Sequence, residues 1–357
     1  MDLFSPVTLG DLTLPNRVVM APLTRMRSSA DGVPGDLNVE HYAQRSSLGL
    51  IITEGTYPSH ESRSYPGQPG IVTAEQTEGW RRVADAVHAH GGRIVLQIMN
   101  GGRVSHTAIT GTDRIVAPSA IAIDGFANTP EGKLPYPIPH ALTTAELVTV
   151  RDEFVAAARN AVDAGLDGVE IHGANGYLLH EFLSPASNQR DDRYGGSPEN
   201  RARFVFEVTA AVAAEIGAGR VGIRLSPSNG AQDTAETDAA DVAATYGSLV
   251  DQLAPLGLSY LSVLHSEPTS ELVQNLRSRF GGAFIINSGF GTVTTRDEAV
   301  ALVENAHADA VAIGRLAIAN PDLVERWQGE HPENEPNLAT FYGAGAEGYT
   351  DYPRLTV

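Results

Sequence analysis

The stretch Ile94-Val95-Leu96-Gln97-Ile98-Met99 is a short, nearly continuous apolar run that is rich in aliphatic side chains. Hydrophobic runs without strict alternation are typical of parallel strands that are buried on both faces. Eight such runs occur along the chain, each followed by a stretch with a helical pattern. The runs are Val18–Leu23, Leu50–Thr53, Ile94–Met99, Gly168–His172, Val221–Leu225, Tyr260–Leu264, Phe284–Asn287 and Ala310–Ile313. Eight strand–helix repeats without a linker predict an α/β protein, a single closed (β/α)8 TIM barrel rather than an open sheet.

Three helix starts can also be identified. Thr143 and Glu146 form a capping-box pattern ahead of a long Ala-rich stretch. Ser197-Pro198 and Asn320-Pro321 each place a capping residue before a proline at the expected first helical position. We therefore expect helices to begin directly after these three capping residues.

One segment interrupts the alternation of strands and helices. Residues 103–142 are rich in Pro, Gly and Thr and are far longer than a typical βα loop. The segment follows the third strand, so we expect it over the C-terminal face of the barrel, where active sites lie. The prediction is one domain over residues 1–357, with residues 103–142 as a lid-like insertion. A solvated insertion without a role in binding is the alternative.

The composition excludes several classes of partner and site. A net charge of −18 argues against nucleic acid and an anionic membrane surface, since both require a basic footprint. The absence of cysteine excludes disulfides, thiolate zinc sites, cysteine nucleophiles and iron–sulfur clusters. The stretch Met1–Pro6 has neither a basic region nor a long apolar run. We therefore expect a cytoplasmic protein without a signal peptide or membrane span.

The densest cluster of reactive side chains directly follows the fourth predicted strand. His172 and Asn175 can direct two donors to one oxygen, which would polarise a carbonyl or nitro group. Tyr177 then offers a phenol that can give a proton to a nearby carbon. A buried structural histidine is the alternative for His172 alone, but the three residues together favour catalysis. No metal-ligand pattern stands out at the strand ends, so no metal is expected.

Two further segments predict a site for an anion or an electron-rich group. Arg224 ends the fifth strand, where a fixed cation suits an electron-rich ring or a carboxylate. Asn287–Gly291 and Gly314-Arg315 follow the seventh and eighth strands, whose loops commonly bind phosphate in TIM barrels. A structural ion pair and simple glycine turns are the alternatives.

The stretch Gly343-Ala344-Gly345-Ala346-Glu347-Gly348 has the G-x-G-x-x-G spacing of dinucleotide-binding loops. That spacing indicates such a loop only between a strand and a helix of a βαβ unit. Here Phe341-Tyr342 precedes the stretch and no βαβ unit follows. We expect a loop over the barrel mouth instead.

Several motifs together resemble the Old Yellow Enzyme family, in the same order and at similar spacing over almost the whole chain. The stretch from His172 to Gly196 is the most specific part of this resemblance. The motifs are Ala21–Arg25, Leu96–Ile98, His172–Leu178, Ser184–Gly196 and Phe341–Gly343. The family is FMN-dependent, so the resemblance implies a bound FMN and NAD(P)H as the transient reductant.

The resemblance also implies roles for individual residues. Thr24 would lie near the flavin O4, Gln97 would contact the pyrimidine edge, and Arg224 would stabilise the anionic reduced flavin at N1 and O2. The residues implied to contact FMN are Pro22, Leu23, Thr24, Gly55, Gln97 and Arg224, with Ser288, Gly289, Phe290, Gly314 and Arg315 at the phosphate. The residues implied to contact the substrate are His172, Asn175, Tyr65, Met99, Asn100 and Tyr342.

The implied reaction is a ping-pong ene reduction. NAD(P)H passes a hydride to N5 of the flavin and leaves, and an alkene conjugated to a carbonyl or nitro group takes its place. Hydride then moves from N5 to the β-carbon, and Tyr177 protonates the α-carbon. Reduction of nitro compounds or nitrate esters by the same flavin stays open, as does the choice between a monomer and a homodimer.

The sequence departs from the family pattern at two places. Met99 and Asn100 stand where many relatives have an aromatic residue and a histidine, so the substrate range does not transfer. The phosphate loop reads Asn287–Phe290, where close relatives have small residues and a tyrosine. We expect the second change to be tolerated because phosphate is bound there largely by the backbone.

Two other functions are compatible with a barrel. A flavin-free aldolase or isomerase acting on phosphosugars would use the same phosphate loops, but the strand ends offer only Glu54 and Glu170 as bases. We expect Glu170, inside its strand, to be a structural partner. A non-catalytic FMN-binding barrel would not need the combination of His172, Asn175 and Tyr177.

Overall fold

The computed structural model describes residues 1–356 and contains a closed barrel of eight parallel strands. The barrel strands are β1 Val18–Met20, β2 Leu50–Ile52, β3 Ile94–Ile98, β4 Gly168–Gly173, β5 Val221–Leu225, β6 Tyr260–Leu264, β7 Phe284–Asn287 and β8 Ala310–Ile313. Each strand pairs with the next, and β8 closes the barrel on β1 through Val311 and Val18. The predicted (β/α)8 barrel is confirmed, and the strand bounds differ from the prediction only at the ends of β1 to β4.

Helices cover the outside of the barrel, one after each strand. They are α1 Asp36–Ala43, α2 Ala74–Ala89, α3 Thr144–Asp163, α4 Pro198–Ile216, α5 Ala239–Leu253, α6 Glu271–Phe280, α7 Arg296–Glu304 and α8 Leu323–Gln328. Their apolar faces form one large core with the outer faces of the strands, in which Trp80, Phe154 and Trp327 are buried. Within residues 1–356, none of the helices has both the length and the apolar composition needed to cross a bilayer.

A second apolar core fills the inside of the barrel. The antiparallel hairpin of Val7–Leu9 and Leu12–Leu14 packs its leucines against inward-facing residues such as Val19, Val95 and Ile285. These side chains come from the early parts of their strands, so the hairpin closes the N-terminal end of the barrel. The polar residues at the ends of the strands are left to face the opposite end.

Two of the three predicted helix starts are confirmed. Thr143 accepts a hydrogen bond from the backbone N–H of Glu146, and the Glu146 carboxylate accepts one from the backbone N–H of Thr143 at 2.7 Å. Ser197 caps α4, and Pro198 is the first residue of that helix. The reciprocal bonds satisfy N–H groups that a helix start otherwise leaves unpaired.

The third predicted helix start, at Asn320-Pro321, is wrong, because α8 begins at Leu323. The Asn320 side chain donates to the carbonyl oxygen of Leu316 at 3.0 Å and accepts from the N–H of Asn334 at 2.6 Å. Both ends of the carboxamide are therefore engaged by segments before and after α8, and the side chain is not available as a cap.

Residues 103–142 form an ordered excursion between β3 and α3. Its elements are the short helix Thr107–Thr110, the paired strands Val116–Ala117 and His140–Ala141, and the hairpin of Phe126–Thr129 with Gly132–Pro135. Arg103, at its start, is buried and donates to the carbonyl oxygens of Gln232 and Asp233 at 2.8 and 3.1 Å. The excursion is thereby tied to the loop that follows β5.

The packing at Gly222 leads to a prediction about stability. Gly222 on β5 pairs with Tyr260 on β6, and a Cβ at Gly222 would lie 2.2 Å from Cζ of the Tyr260 ring. We expect Gly222→Ala to lower the free energy of unfolding by about 1–3 kcal/mol, because a rigid ring in a packed barrel cannot yield without displacing its neighbours. Urea unfolding measures the change. Gly230→Ala is the control, since a Cβ there meets open space. Equal stability of the two variants would contradict the prediction.

Candidate active site

The C-terminal end of the barrel contains two adjoining cavities, with volumes of about 520 and 320 Å³. We call the larger one the His172 cavity and the smaller one the Arg315 cavity, after one residue in the wall of each. The residues that line both cavities are Pro22, Leu23, Phe290 and Tyr342. The cavities therefore form one elongated depression across the barrel mouth. Within residues 1–356, no group of three or more histidine or acidic side chains is arranged to hold a metal ion.

His172 is held as a neutral hydrogen-bond donor at the end of β4. Its Nδ1 accepts the backbone N–H of Ala174 at 3.2 Å, so the proton of the neutral ring resides on Nε2. Burial lowers the pKa of His172 well below its usual value, and the nearby Arg224 cation lowers it further. At neutral pH the imidazole is therefore uncharged and presents one N–H to the cavity that it lines.

Asn175 lies in the turn after β4 with a left-handed backbone, at φ +60°. Asparagine tolerates this conformation better than most residues. The turn is held by the N–H of Asn175, which donates to Ser226 Oγ at 2.8 Å. The side-chain oxygen of Asn175 is buried and has no hydrogen-bond partner within residues 1–356. The residue lines the His172 cavity, and its carboxamide has bonding capacity left for a ligand.

Tyr177 and Tyr65 form a pair of partly buried phenols in the wall of the His172 cavity. Their hydroxyl oxygens are 2.8 Å apart, and the Tyr177 ring lies edge-on to His172 with centroids 4.9 Å apart. Burial raises the pKa of Tyr177 to about 12, although the hydrogen bond with Tyr65 lowers it. Tyr177 is therefore protonated at neutral pH and can serve as a proton donor.

Arg224 and Gln97 place a cation and an amide beside these residues. Arg224 is buried and lies opposite His172 in the β4–β5 pairing. Its Nη2 donates to Asn287 Oδ1 at 3.3 Å, while Nε and Nη1 have no partner within residues 1–356. Gln97 Nε2 donates to Glu170 Oε1 at 2.8 Å, which fixes the orientation of the amide and leaves Gln97 Oε1 as an acceptor.

The Arg315 cavity has the features of a phosphate site. Gly289, after β7, has φ +97°, a conformation that strongly favours glycine. Gly314 and Arg315 follow β8, and Arg315 begins the short helix Arg315–Ala319. The Arg315 guanidinium donates to the carbonyl oxygen of Phe290 at 2.6 Å, which joins the two loops. Loops after the seventh and eighth strands, with a short extra helix, form the usual phosphate site of TIM barrels.

Most of the predicted contact residues lie in the walls of these cavities. In the His172 cavity alone they are Thr24, Tyr65, Gln97, Met99, His172, Asn175 and Tyr177. In the Arg315 cavity alone they are Arg224, Gly289, Gly314 and Arg315. The geometry thus brings together the predicted catalytic residues and most of the predicted cofactor contacts.

Three predicted contact residues lie elsewhere. Gly55 is covered by Met99, whose sulfur would be 2.5 Å from a Cβ at that glycine. Asn100 Oδ1 accepts a hydrogen bond from the backbone N–H of Gly102, and the residue lines a separate cleft beneath the excursion. It is therefore not among the residues that line the His172 cavity, contrary to the prediction. Ser288 donates its hydroxyl to Glu298 on α7, which turns its side chain away from the Arg315 cavity. Only the backbone of Ser288 remains as a potential phosphate ligand.

The sequence analysis missed other wall residues. Asn128, from the hairpin of the excursion, and Gln232, from the loop after β5, line the His172 cavity. Leu338 and Phe341 line the Arg315 cavity. The expected position of the excursion above this face was a signal for Asn128. Gln232 lies in an irregular loop at φ +56°, and no sequence pattern marks it.

Residues 340–348, which include the G-x-G-x-x-G stretch, form turns that are clamped to the loop after β1. Arg25 and Arg27 donate to five carbonyl oxygens between Thr340 and Gly348, at distances of 2.7 to 3.0 Å. The stretch consists of bends and turns and does not open a helix. The geometry therefore excludes a dinucleotide-binding loop. Residues 340–348 instead place Tyr342 in the wall of both cavities.

The chain matches known proteins over nearly its whole length. A sequence model of the family described as NADH:flavin oxidoreductase / NADH oxidase matches residues 2–334. A probable flavin mononucleotide-dependent alkene reductase from Leishmania infantum is 43% identical over 363 residues, covering 98% of this chain and 97% of that protein.

Two solved structures are similar to the whole fold. Morphinone reductase in complex with tetrahydroNAD is 44% identical, with a TM-score of 0.93 over 100% of this chain and 98% of that one. The Old Yellow Enzyme homologue from Zymomonas mobilis is 38% identical, with a TM-score of 0.94 over 99% of this chain and 100% of that one. The chain therefore belongs to the NADH:flavin oxidoreductase / NADH oxidase family, the family of the Old Yellow Enzyme.

Proposed function

We propose that this protein uses bound FMN and NAD(P)H to reduce the C=C bond of alkenes conjugated to a carbonyl or nitro group. The observation that carries the proposal is the arrangement of three groups in one cavity. A neutral His172 N–H, the Asn175 carboxamide and the protonated Tyr177 phenol line the His172 cavity, which adjoins the buried cation of Arg224. Polarising donors, an acid and a fixed cation are what this reduction requires.

The residues of the two cavities fit FMN. Arg224 has two buried guanidinium nitrogens without a protein partner within residues 1–356, and these would stabilise an electron-rich ring that gains negative charge. Gln97 Oε1 would accept a hydrogen bond from a ring N–H. At the other end, Gly289 and Arg315 would hold a phosphate through backbone N–H groups and a guanidinium. Bound FMN supplies the hydride that the alkene receives.

The protein side chains would then bind and protonate the alkene. His172 and Asn175 would bind the activating oxygen, and the neutral imidazole would donate its Nε2 proton into that hydrogen bond. Tyr177 would give its proton to the α-carbon, leaving a phenolate. Tyr65, 2.8 Å away, would donate to that phenolate and so offset part of its burial cost.

The nicotinamide reductant would use the same depression as the alkene. The solved complex of morphinone reductase with tetrahydroNAD supports such a reductant. The excursion at 103–142 would act as a lid-like insertion, since Asn128 of its hairpin lines the His172 cavity. We place the whole activity in one barrel domain over residues 1–357.

The first test is the presence of the cofactor. The purified protein, or protein incubated with FMN, should show flavin absorbance that is bleached by NADH or NADPH without oxygen. Adding an enone or a nitroalkene should restore the absorbance. Protein that takes up no FMN would contradict the proposal, as would FMN-loaded protein whose reduced flavin reacts with none of these acceptors.

The role of Tyr177 is tested by Tyr177→Phe. We expect the alkene half-reaction to slow by about 100-fold or more, because general acid catalysis by a positioned side chain contributes on the order of 10²–10⁴-fold. Reduction of the flavin by NAD(P)H should stay within about twofold of the wild type, since that step needs no proton donor. Stopped-flow absorbance separates the two half-reactions. Equal loss of both would overturn the assignment.

The high pKa of Tyr177 predicts the pH dependence of the same step. The phenol donates in its protonated form, which is fully present well below a pKa of about 12 and is lost as the pH rises through that value. We expect the rate of alkene reduction by the pre-reduced enzyme to be constant between about pH 6 and pH 9. An inflection in this range that disappears in Tyr177→Phe would be evidence against this protonation state.

Tyr65→Phe tests the support given to Tyr177. The Tyr65 hydrogen bond lowers the pKa of Tyr177, so its loss should raise that pKa and slow the alkene half-reaction on the order of tenfold. Flavin reduction by NAD(P)H should be unaffected. Tyr136→Phe is the control, because Tyr136 is half-buried nearby but lines neither cavity. Equal rates of the alkene half-reaction in Tyr65→Phe and Tyr136→Phe would show that the hydrogen bond between Tyr65 and Tyr177 does not assist protonation.

A further inference from the structure

A buried carboxyl group lies inside the barrel beneath the two cavities. Glu170 is on β4, two residues before His172, so both side chains are on the inward face of the strand. Glu170 is 0% exposed, and its Oε1 accepts from Gln97 Nε2 at 2.8 Å. Its second oxygen, Oε2, has no hydrogen-bond partner within residues 1–356. An acidic side chain in this position needs a physical reason, because burying a carboxylate without compensation is costly.

The neighbouring strands are arranged around this carboxyl group. Glu170 pairs with Gly222 on β5, and Gly222 pairs with Tyr260 on β6. Because Gly222 has no side chain, the Tyr260 ring occupies its place, and a Cβ there would lie 2.2 Å from the ring. The Tyr260 hydroxyl is thereby brought near Glu170. Burial raises the pKa of Glu170, and the charge of Arg224, the Gln97 amide and the Tyr260 hydroxyl each lower it in part, which favours the ionised carboxylate.

Arg224 provides the opposite charge. It lies two residues after Gly222, on the same inward face of β5 and diagonally across from Glu170. Burial lowers the pKa of Arg224, and the negative charge of Glu170 is the largest influence that raises it. A buried cation without a counter-charge would be strongly destabilising, so each of the two groups accounts for the presence of the other.

We propose that Glu170 is a positioning residue that holds the Gln97 amide and partly neutralises Arg224, and thereby sets the reduction potential of the flavin. This inference rests on the proposed binding of FMN in the cavities above. The two effects have different targets. The hydrogen bond to Gln97 determines which amide atom faces the ring, whereas the charge determines how strongly the site favours an electron-rich ring.

The direction of the charge effect follows from electrostatics in a water-excluded site. Reduction adds electron density to the flavin ring, and the Arg224 cation stabilises that density. The Glu170 anion opposes this stabilisation from below, in surroundings where charges are weakly screened. Removing the Glu170 charge therefore favours the reduced flavin and makes its midpoint potential more positive.

The test is a potentiometric titration of the FMN-loaded protein and its E170Q variant. The substituted glutamine keeps an acceptor for Gln97 and removes only the charge. We expect reduced FMN to be favoured about tenfold more strongly relative to oxidised FMN in E170Q, which corresponds to about 30 mV for a two-electron couple. Glu181→Gln is the matched control, because Glu181 is equally buried but is bound to the backbone of Arg103 at the base of the excursion. Its potential should equal that of the wild type.

The Glu170→Asp and Glu170→Asn pair repeats the charged-to-neutral comparison with a side chain one methylene shorter. If E170Q yields too little folded protein, this pair provides the test instead. The flavin in Glu170→Asn should then have a more positive midpoint potential than the flavin in Glu170→Asp. An unchanged or more negative potential in flavin-loaded E170Q, or an equal shift in Glu181→Gln, would overturn the inference. Failure of the wild type to bind FMN would instead overturn the proposed function, so the two failures are distinguishable.

Discussion

The pairing of β8 with β1 closes the sheet and fixes where every other feature of the molecule lies. Closure leaves no strand edge and forces inward-facing residues from eight strands into a narrow interior. At one end that interior is filled by aliphatic side chains and the leucines of the N-terminal hairpin. At the other end the chains diverge into loops, and the space between them becomes the His172 and Arg315 cavities.

The interior of the barrel is not uniformly apolar, and its polar residues are layered. Glu170 and Gln97 are hydrogen-bonded to each other within the barrel, and Arg224 and His172 lie one layer nearer the mouth. Proximity to the Arg224 cation contributes to keeping His172 uncharged, which makes the imidazole a donor rather than a second cation. A single buried arginine therefore influences both the proposed ring site and the protonation of His172, the proposed donor to the substrate oxygen.

The sequence was sufficient to predict the barrel and the proximity of His172, Asn175 and Tyr177, because both follow from short, local stretches of sequence. Apolar runs define parallel strands, and polar residues that directly follow a strand must lie at its C-terminal end. The contact between Tyr65 and Tyr177 joins positions 112 residues apart and has no local signature. Asn100 shows a second limit of the sequence analysis. Adjacent residues past a strand end point in opposite directions, and it is Met99 that lines the His172 cavity, whereas Asn100 lines a separate cleft. The cap-and-proline pattern at Asn320-Pro321 was misleading because contacts with Leu316 and Asn334 engage the Asn320 side chain. The strands of the N-terminal hairpin were not predicted, since three residues are too few for a distinctive pattern.

The clamp of Arg25 and Arg27 on residues 340–348 has a consequence for the order of events during synthesis. All eight strands leave the ribosome before residues 338–348, so the barrel can close while one wall of the Arg315 cavity is still missing. That wall carries Leu338 and Phe341, and it is secured only when its carbonyl oxygens reach the two arginines near the start of the chain. The large core of the barrel includes no residue after Trp327, so it can form while the Arg315 cavity is still open on the side that residues 338–348 cover.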